Sequence, residues 1–232
     1  MPYAATHKAN TRRRIVESAR KLFNRHGFNA VSIDEIMEDA GLTRGGFYRH
    51  FGAKEELYRA AVLQFAHAAQ PERWQRCHFD PDAEGAAVAR MIVNAYLSTE
   101  HFDDRDGSCP MIGLPSDVAR SADGVRAAFR EILEMMLRCF EANLAPADLS
   151  SRQRALAVAS TIVGGMVLAR AIDDAALATE IRAAARAEVF ATTGWNGPAA
   201  AGNDATRAAA ADARPPRQAS GAGPDRALSE AK

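Results

Sequence analysis

The stretch from Leu42 to Phe51, LTRGGFYRHF, gathers side chains suited to contact with a phosphate-bearing polymer. Arg44 offers a planar guanidinium, which can pair with O6 and N7 of guanine, the commonest specific side-chain–base contact. Thr43, Tyr48 and His50 are donors of the kind that position phosphates without reading sequence. Lys54 follows at the start of the next predicted helix, where its charge and the helix dipole suit another phosphate. Gly45 and Gly46 are unexpected there, because each glycine weakens a helix by about 1 kcal/mol relative to alanine. Their presence makes sense if the backbone must come close to bases or phosphates. Phe47 and Phe51 lie four residues apart, share a helix face, and read as core. The plainer alternative is that Gly-Gly marks a loop and the aromatics are ordinary core.

Those residues need elements to hold them, and almost everything around them reads as helix. A first helix is predicted from about Thr11 to His26, with Ile15, Val16, Ala19, Leu22 and Phe23 at helical spacing and Gly27 ending it. Ser32 and Glu35 form a capping box at the start of a second helix. Gly41 lies in the short turn that follows, and Thr43 is placed to cap the next helix, which ends near Gly52. Two short helices joined by a tight glycine-containing turn spell a helix-turn-helix. Such a unit sets its second helix in the major groove, with N-terminal residues at base edges.

Beyond this unit the pattern stays helical. Helices are predicted over Ala53–Ala69, Asp82–His101, Ala122–Leu144, Ser150–Ala171 and Ala175–Thr193, with a short one around Met111 and a loop over 70–85. β-branched alternation is missing, so the fold class is all-α. From Gly197 onward the only large apolar residue is Leu228, and 197–232 reads as a disordered tail.

Composition narrows the function classes. The chain has 232 residues, 47% of them hydrophobic, with no net charge. Residues 1–60 hold 11 Lys/Arg against 7 Asp/Glu, so a basic N-terminal part sits on an acidic remainder and suits an anionic partner. No apolar run reaches the ~18 residues of a membrane span. The start MPYAATHKANTRRR lacks the apolar segment of a secretory signal, which predicts a reducing cytoplasm. Cys77, Cys109 and Cys139 are too few and too scattered for a disulfide framework. Cys77–His78 has no second ligand pair, so no metal is expected. No nucleophile elbow or phosphate loop occurs, so neither an enzyme nor a cofactor is expected.

Residues 11–62 resemble the N-terminal domain of the TetR/AcrR family of transcriptional regulators. The likeness is carried by "AxxLFxxxGF" of the first helix, "SIDEI" of the second, "AGLTRGGFYRHF" of the turn and recognition helix, and "KEEL" of the fourth. The resemblance implies an N-terminal three-helix DNA-binding domain over 1–54 and a larger ligand-binding and dimerisation domain over 55–196, about nine helices in all. It also implies that Thr43, Arg44, Gly45, Tyr48, His50 and Lys54 contact double-stranded operator DNA. The expected protein is a homodimeric repressor, released from a palindromic operator by a small molecule.

The body adds further expectations. Tyr96, Phe102, Met111, Met135, Met136, Phe140 and Met166 are candidate ligand contacts, which favours a largely apolar effector; all seven also read as plain core. Ser160–Ala171, with Gly164 and Gly165 inside an apolar helix, suits close helix approach at the family's usual dimer surface. Cys109 precedes Pro110, a favoured first helical residue, so its sulfur could lie at a helix N-terminus, where a thiolate is stabilised. Some relatives sense oxidants or electrophiles with a cysteine near here, which makes a thiol-based sensor the alternative. Against it, Ser108 interrupts the Gly-Cys-Pro pattern of that subfamily, and a buried inert thiol is the plainer reading.

Overall fold

A computed structural model describes residues 2–67, 85–145 and 149–195; of 2–5, 66 and 67 it describes the backbone only. Among these residues every regular element is a helix. The first, α1, runs from Pro2 to His26, nine residues earlier than the apolar spacing predicts, because residues 2–10 repeat no large apolar side chain at helical spacing. Its inner face buries Ile15, Val16, Ala19 and Phe23. Gly27 ends it at φ +79°, its N–H donating to the Phe23 carbonyl at 2.8 Å.

The second helix, α2, spans Ile33–Asp39 and starts with the predicted capping box: Glu35 N–H donates to Ser32 Oγ, and Ser32 N–H to the Glu35 carboxylate at 2.6 Å. It ends in a Schellman motif, Leu42 N–H donating to Met37 O and Gly41 N–H to Glu38 O, both at 2.8 Å, with Gly41 at φ +64°. The recognition segment, Arg44–Arg49, is a 3₁₀ helix rather than the predicted α-helix. Two glycines and a missing cap explain this: Thr43 occupies the N-cap position, but its side chain makes no capping hydrogen bond. Phe47 and Phe51, both buried with ring centroids 5.8 Å apart, hold the weak segment to the core as expected. Helix α3, Lys54–His67, completes this part, with Tyr58 stacked 4.6 Å from Phe28 and 5.0 Å edge-on to Phe23.

The rest of the body is built from α4 (Ala86–Tyr96), α5 (Thr99–Asp103), α6 (Pro110–Gly113), α7 (Pro115–Ala119), α8 (Asp123–Ala142), α9 (Ser151–Ala171) and α10 (Ala175–Thr193). The predicted Asp82–His101 helix is two elements, because Ser98 caps a new one by accepting from His101 N–H. The amphipathic α8 buries Val125, Ala128, Ile132, Leu137 and Phe140, and packs on α3 and α9. Helices α9 and α10 form a close hairpin: a Cβ on Gly165 would lie 2.8 Å from the Ala185 Cβ. Trp195, just beyond α10, is buried; its indole N–H donates to Asn143 O at 2.9 Å and its ring lies 5.7 Å from Phe140. The described residues form one compact unit. The predicted 70–85 loop, except for its last residue, the Cys77–His78 pair and the 197–232 tail lie outside the described residues.

Candidate nucleic-acid interface

The two buried phenylalanines turn the remaining side chains of the recognition segment outward. Thr43, Arg44, Gly45 and Tyr48 are all exposed, Tyr48 at 63%. Neither glycine has positive φ, so backbone conformation does not demand them. A Cβ built on Gly45 meets nothing within 4 Å, whereas one on Gly46 touches the Met37 methyl at 3.5 Å. Gly45 is therefore bare outer surface, and Gly46 lies over α2.

Arg44 is held ready rather than loose. Its Nη1 donates to Asp34 of α2 at 2.7 Å, although both side chains are more than half exposed. Motif spacing alone does not reveal Asp34 as the partner of Arg44. His50 lies at the end of the segment, half-buried, its Nδ1 enclosed without a hydrogen-bond partner. Burial first, then the nearby Lys8, Arg12 and Arg49, push its pKa down. Lys54 departs from the group. Its ammonium donates to Phe28 O and lies 4.3 Å from the centre of the Phe28 ring. Desolvation there lowers its pKa. Reaching a phosphate would require it to leave that seat.

A groove of about 630 Å³ runs beside the segment, with Thr43, Gly46, Arg49 and His50 on one wall and His7, Lys8 and Thr11 of α1 on the other. His7 and Lys8 on the α1 wall are invisible to motif reading because they precede the stretch that carries the resemblance, residues 11–62.

In the body, the seven candidate ligand residues differ in exposure. Phe140 packs on Trp195, Met111 and Met166 are core, Met135 is exposed, and Met136 is half-buried. Tyr96 and Phe102 instead flank a polar region absent from the apolar pattern. The Arg182 guanidinium, on a buried residue, lies 4.7 Å from the Phe102 ring centre and donates to Leu97 O at 3.2 Å. Cys109 is fully buried at the N-cap of α6. The Tyr96 hydroxyl and Arg170 are its electrostatic neighbours, and burial foremost drives the Tyr96 pKa up. Arg170 of α9 donates to Ser108 Oγ at 2.6 Å and to His101 O. From the other side, Asn24 of α1 donates to Ser108 O at 3.0 Å, Arg20 to Asp106 O at 2.6 Å, and Arg25 pairs with the Asp106 carboxylate. One loop, 104–109, is thus gripped by both α1 and α9.

Comparison with known proteins accounts for this architecture. Residues 15–61 match the family profile described as bacterial regulatory proteins, tetR family. The chain is 28% identical over 166 residues to the HTH-type transcriptional regulator AcrR of Shigella flexneri, covering 67% of this chain and 76% of that one. It is 31% identical over 91 residues to the regulator UidR of Escherichia coli K12, covering 39% of this chain and 43% of that one. Among solved structures, Escherichia coli NemR in its reduced form superposes with a TM-score of 0.62 at 18% identity, covering 78% of this chain and 95% of that one. A TetR-family regulator from Agrobacterium tumefaciens gives 0.60 at 21% identity, with 78% and 98% covered. The fold and the matched segment define a helix-turn-helix DNA-binding regulator. Residues 15–61 carry the DNA-binding domain of TetR-family transcriptional regulators, and the described residues share the fold of such regulators.

Proposed function

We propose that the protein is a homodimeric repressor that grips a palindromic operator and is released by a small molecule bound in the helical body. The observation that carries the DNA role is the outward row Thr43, Arg44, Gly45 and Tyr48, seated on the buried pair Phe47 and Phe51. Arg44 reads a base, Gly45 lets the backbone approach, and Tyr48 and His50 hold phosphates. Lys54 joins them once its ammonium leaves Phe28.

Dimerisation is supported by the α9–α10 hairpin. Leu156, Leu168 and Leu177 are exposed on it, and a Cβ on Gly164 would meet nothing within 4 Å. Helix α9 has a mean hydropathy of 1.4 over a window only 39% buried, and that length and apolarity match a membrane span too. A second copy covering this face explains the same apolarity in a protein that works on DNA in the cytoplasm. Two-fold symmetry then sets half-sites about 34–36 Å apart. The effector would contact Tyr96 and Phe102, where Arg170 and Arg182 supply polar handles.

Footprinting on the protein's own promoter region tests the reading. Protection of two symmetric half-sites is expected, and no protection would refute it. On that site, Arg44→Ala should cost about 1–3 kcal/mol and relax discrimination at one base position. Asp34→Asn, which removes the ion-pair partner, should relax the same position while changing stability by less than ~1 kcal/mol. Unaltered discrimination in both variants would refute the role of Arg44.

A second reading, oxidant or electrophile sensing by Cys109, draws on the Arg170 guanidinium and Tyr96 hydroxyl beside the thiol. Complete burial opposes it, since it excludes reagents and penalises the thiolate. Operator affinity unchanged by thiol labelling, with Cys109→Ser as control, would remove it.

A further inference from the structure

The groove beside the recognition segment concentrates positive charge that no neighbouring carboxylate answers. Lys8 lines it from α1 and Arg49 from the segment itself, and Arg12 of α1 stands near His50; among the described residues none of the three forms an ion pair. Arg12 lays its guanidinium 4.4 Å from the centre of the Phe51 ring, so it is anchored rather than trailing in solvent. Between these cations stands His50, with Nδ1 enclosed and without a partner. His7 lines the same groove, and α2 adds only the neutral Met37 and, just past it, Leu42. Like charges gathered around a half-desolvated imidazole repel one another until an anion enters. The shape and sign of the groove suit a phosphate diester on a rigid chain.

We propose that His50, Lys8, Arg12 and Arg49 form a seat for one backbone phosphate of duplex DNA, and that His50 takes up a proton as the seat closes. DNA affinity then rises as the pH falls. This rests on the DNA-binding reading above and deepens it, adding α1 to the interface and protons to the equilibrium. The sign follows from the surroundings. In the DNA-free protein, burial and three cations disfavour the imidazolium. A bound phosphate offsets the lost hydration and cancels the cationic field, so the proton is held more tightly in the complex. Between the two titration midpoints affinity climbs with falling pH, by at most about tenfold per pH unit for one proton.

The test uses the full chain and a mixed-sequence DNA duplex, because a phosphate contact is independent of sequence. The imidazole C–H resonance of His50 should titrate at a higher pH in the complex than in the protein alone. Fluorescence anisotropy between about pH 5.5 and 8 should show affinity increasing toward acid. His50→Gln should flatten that slope. Lys8→Gln and Arg12→Gln should weaken binding and each lower the salt exponent by roughly 0.9 or less. Identical His50 midpoints with and without DNA, or a pH slope that survives in His50→Gln, would overturn the seat while leaving DNA binding intact. A duplex that binds at no pH would overturn both.

Discussion

Gly45→Ala separates the demands of folding from the demands of DNA at a single methyl group. In the folded chain Gly45 is exposed, has no positive φ, and offers its new Cβ no neighbour within 4 Å. Nothing in the protein opposes the methyl. Alanine also restricts the unfolded chain and favours helical backbone, which should stabilise by about 0.4–1 kcal/mol. At roughly 2–4 °C per kcal/mol for a chain of this size, Tm should rise by about 1–4 °C. In the proposed DNA complex the same methyl occupies the space where the backbone meets the groove. Overpacking a close interface costs about 1–3 kcal/mol, or roughly 5- to 150-fold in affinity. Gly46→Ala is the comparison, since its methyl meets the flexible end of Met37 at 3.5 Å and should cost less. Thermal unfolding and operator titration by anisotropy measure both sides. A lowered Tm would contradict the open placement of Gly45. Affinity within twofold of wild type would refute the idea that a bare backbone is needed at the groove.

Three further outcomes probe the body. Gly165→Ala should destabilise by about 1–3 kcal/mol, because its Cβ would sit 2.8 Å from the Ala185 Cβ and backbone-bound carbon cannot yield without parting α9 from α10. Gly164→Ala should leave protomer stability unchanged yet weaken self-association in light scattering; a stable, fully dimeric Gly164→Ala protein would refute the placement of that face in the dimer. The Asp106 carboxyl, held below its ordinary value of 3.8 chiefly by its hydrogen bonds from Arg25, contributes stability that is complete above that value and lost as pH falls through the lower folded one. Arg25→Gln removes this contribution, so acid unfolding followed by circular dichroism should begin at a higher pH than in wild type.

The sequence by itself determined the helices and the chemistry of the reading head. Periodicity located α8, α9 and α10 to within a residue or two, and the Ser32/Glu35 box and Gly27 marked ends that depend only on local hydrogen bonding. It also identified the 42–51 stretch, because donors, glycines and paired aromatics at helical spacing are local facts. What it could not supply were relations between distant residues. Only the tertiary structure set Asp34 against Arg44, sent the Lys54 ammonium to Phe28, and brought Lys8 and Arg12 to His50 across some forty residues. It alone divided the glycine pair of α9, one against Ala185 and one facing out. It alone joined α1 to α9 through the 104–109 loop by way of Asn24, Ser108 and Arg170. An apolar stripe says that a face is buried but not against what. An arginine carries no local sign of its partner, because its long side chain reaches whichever acceptor the packed helices present.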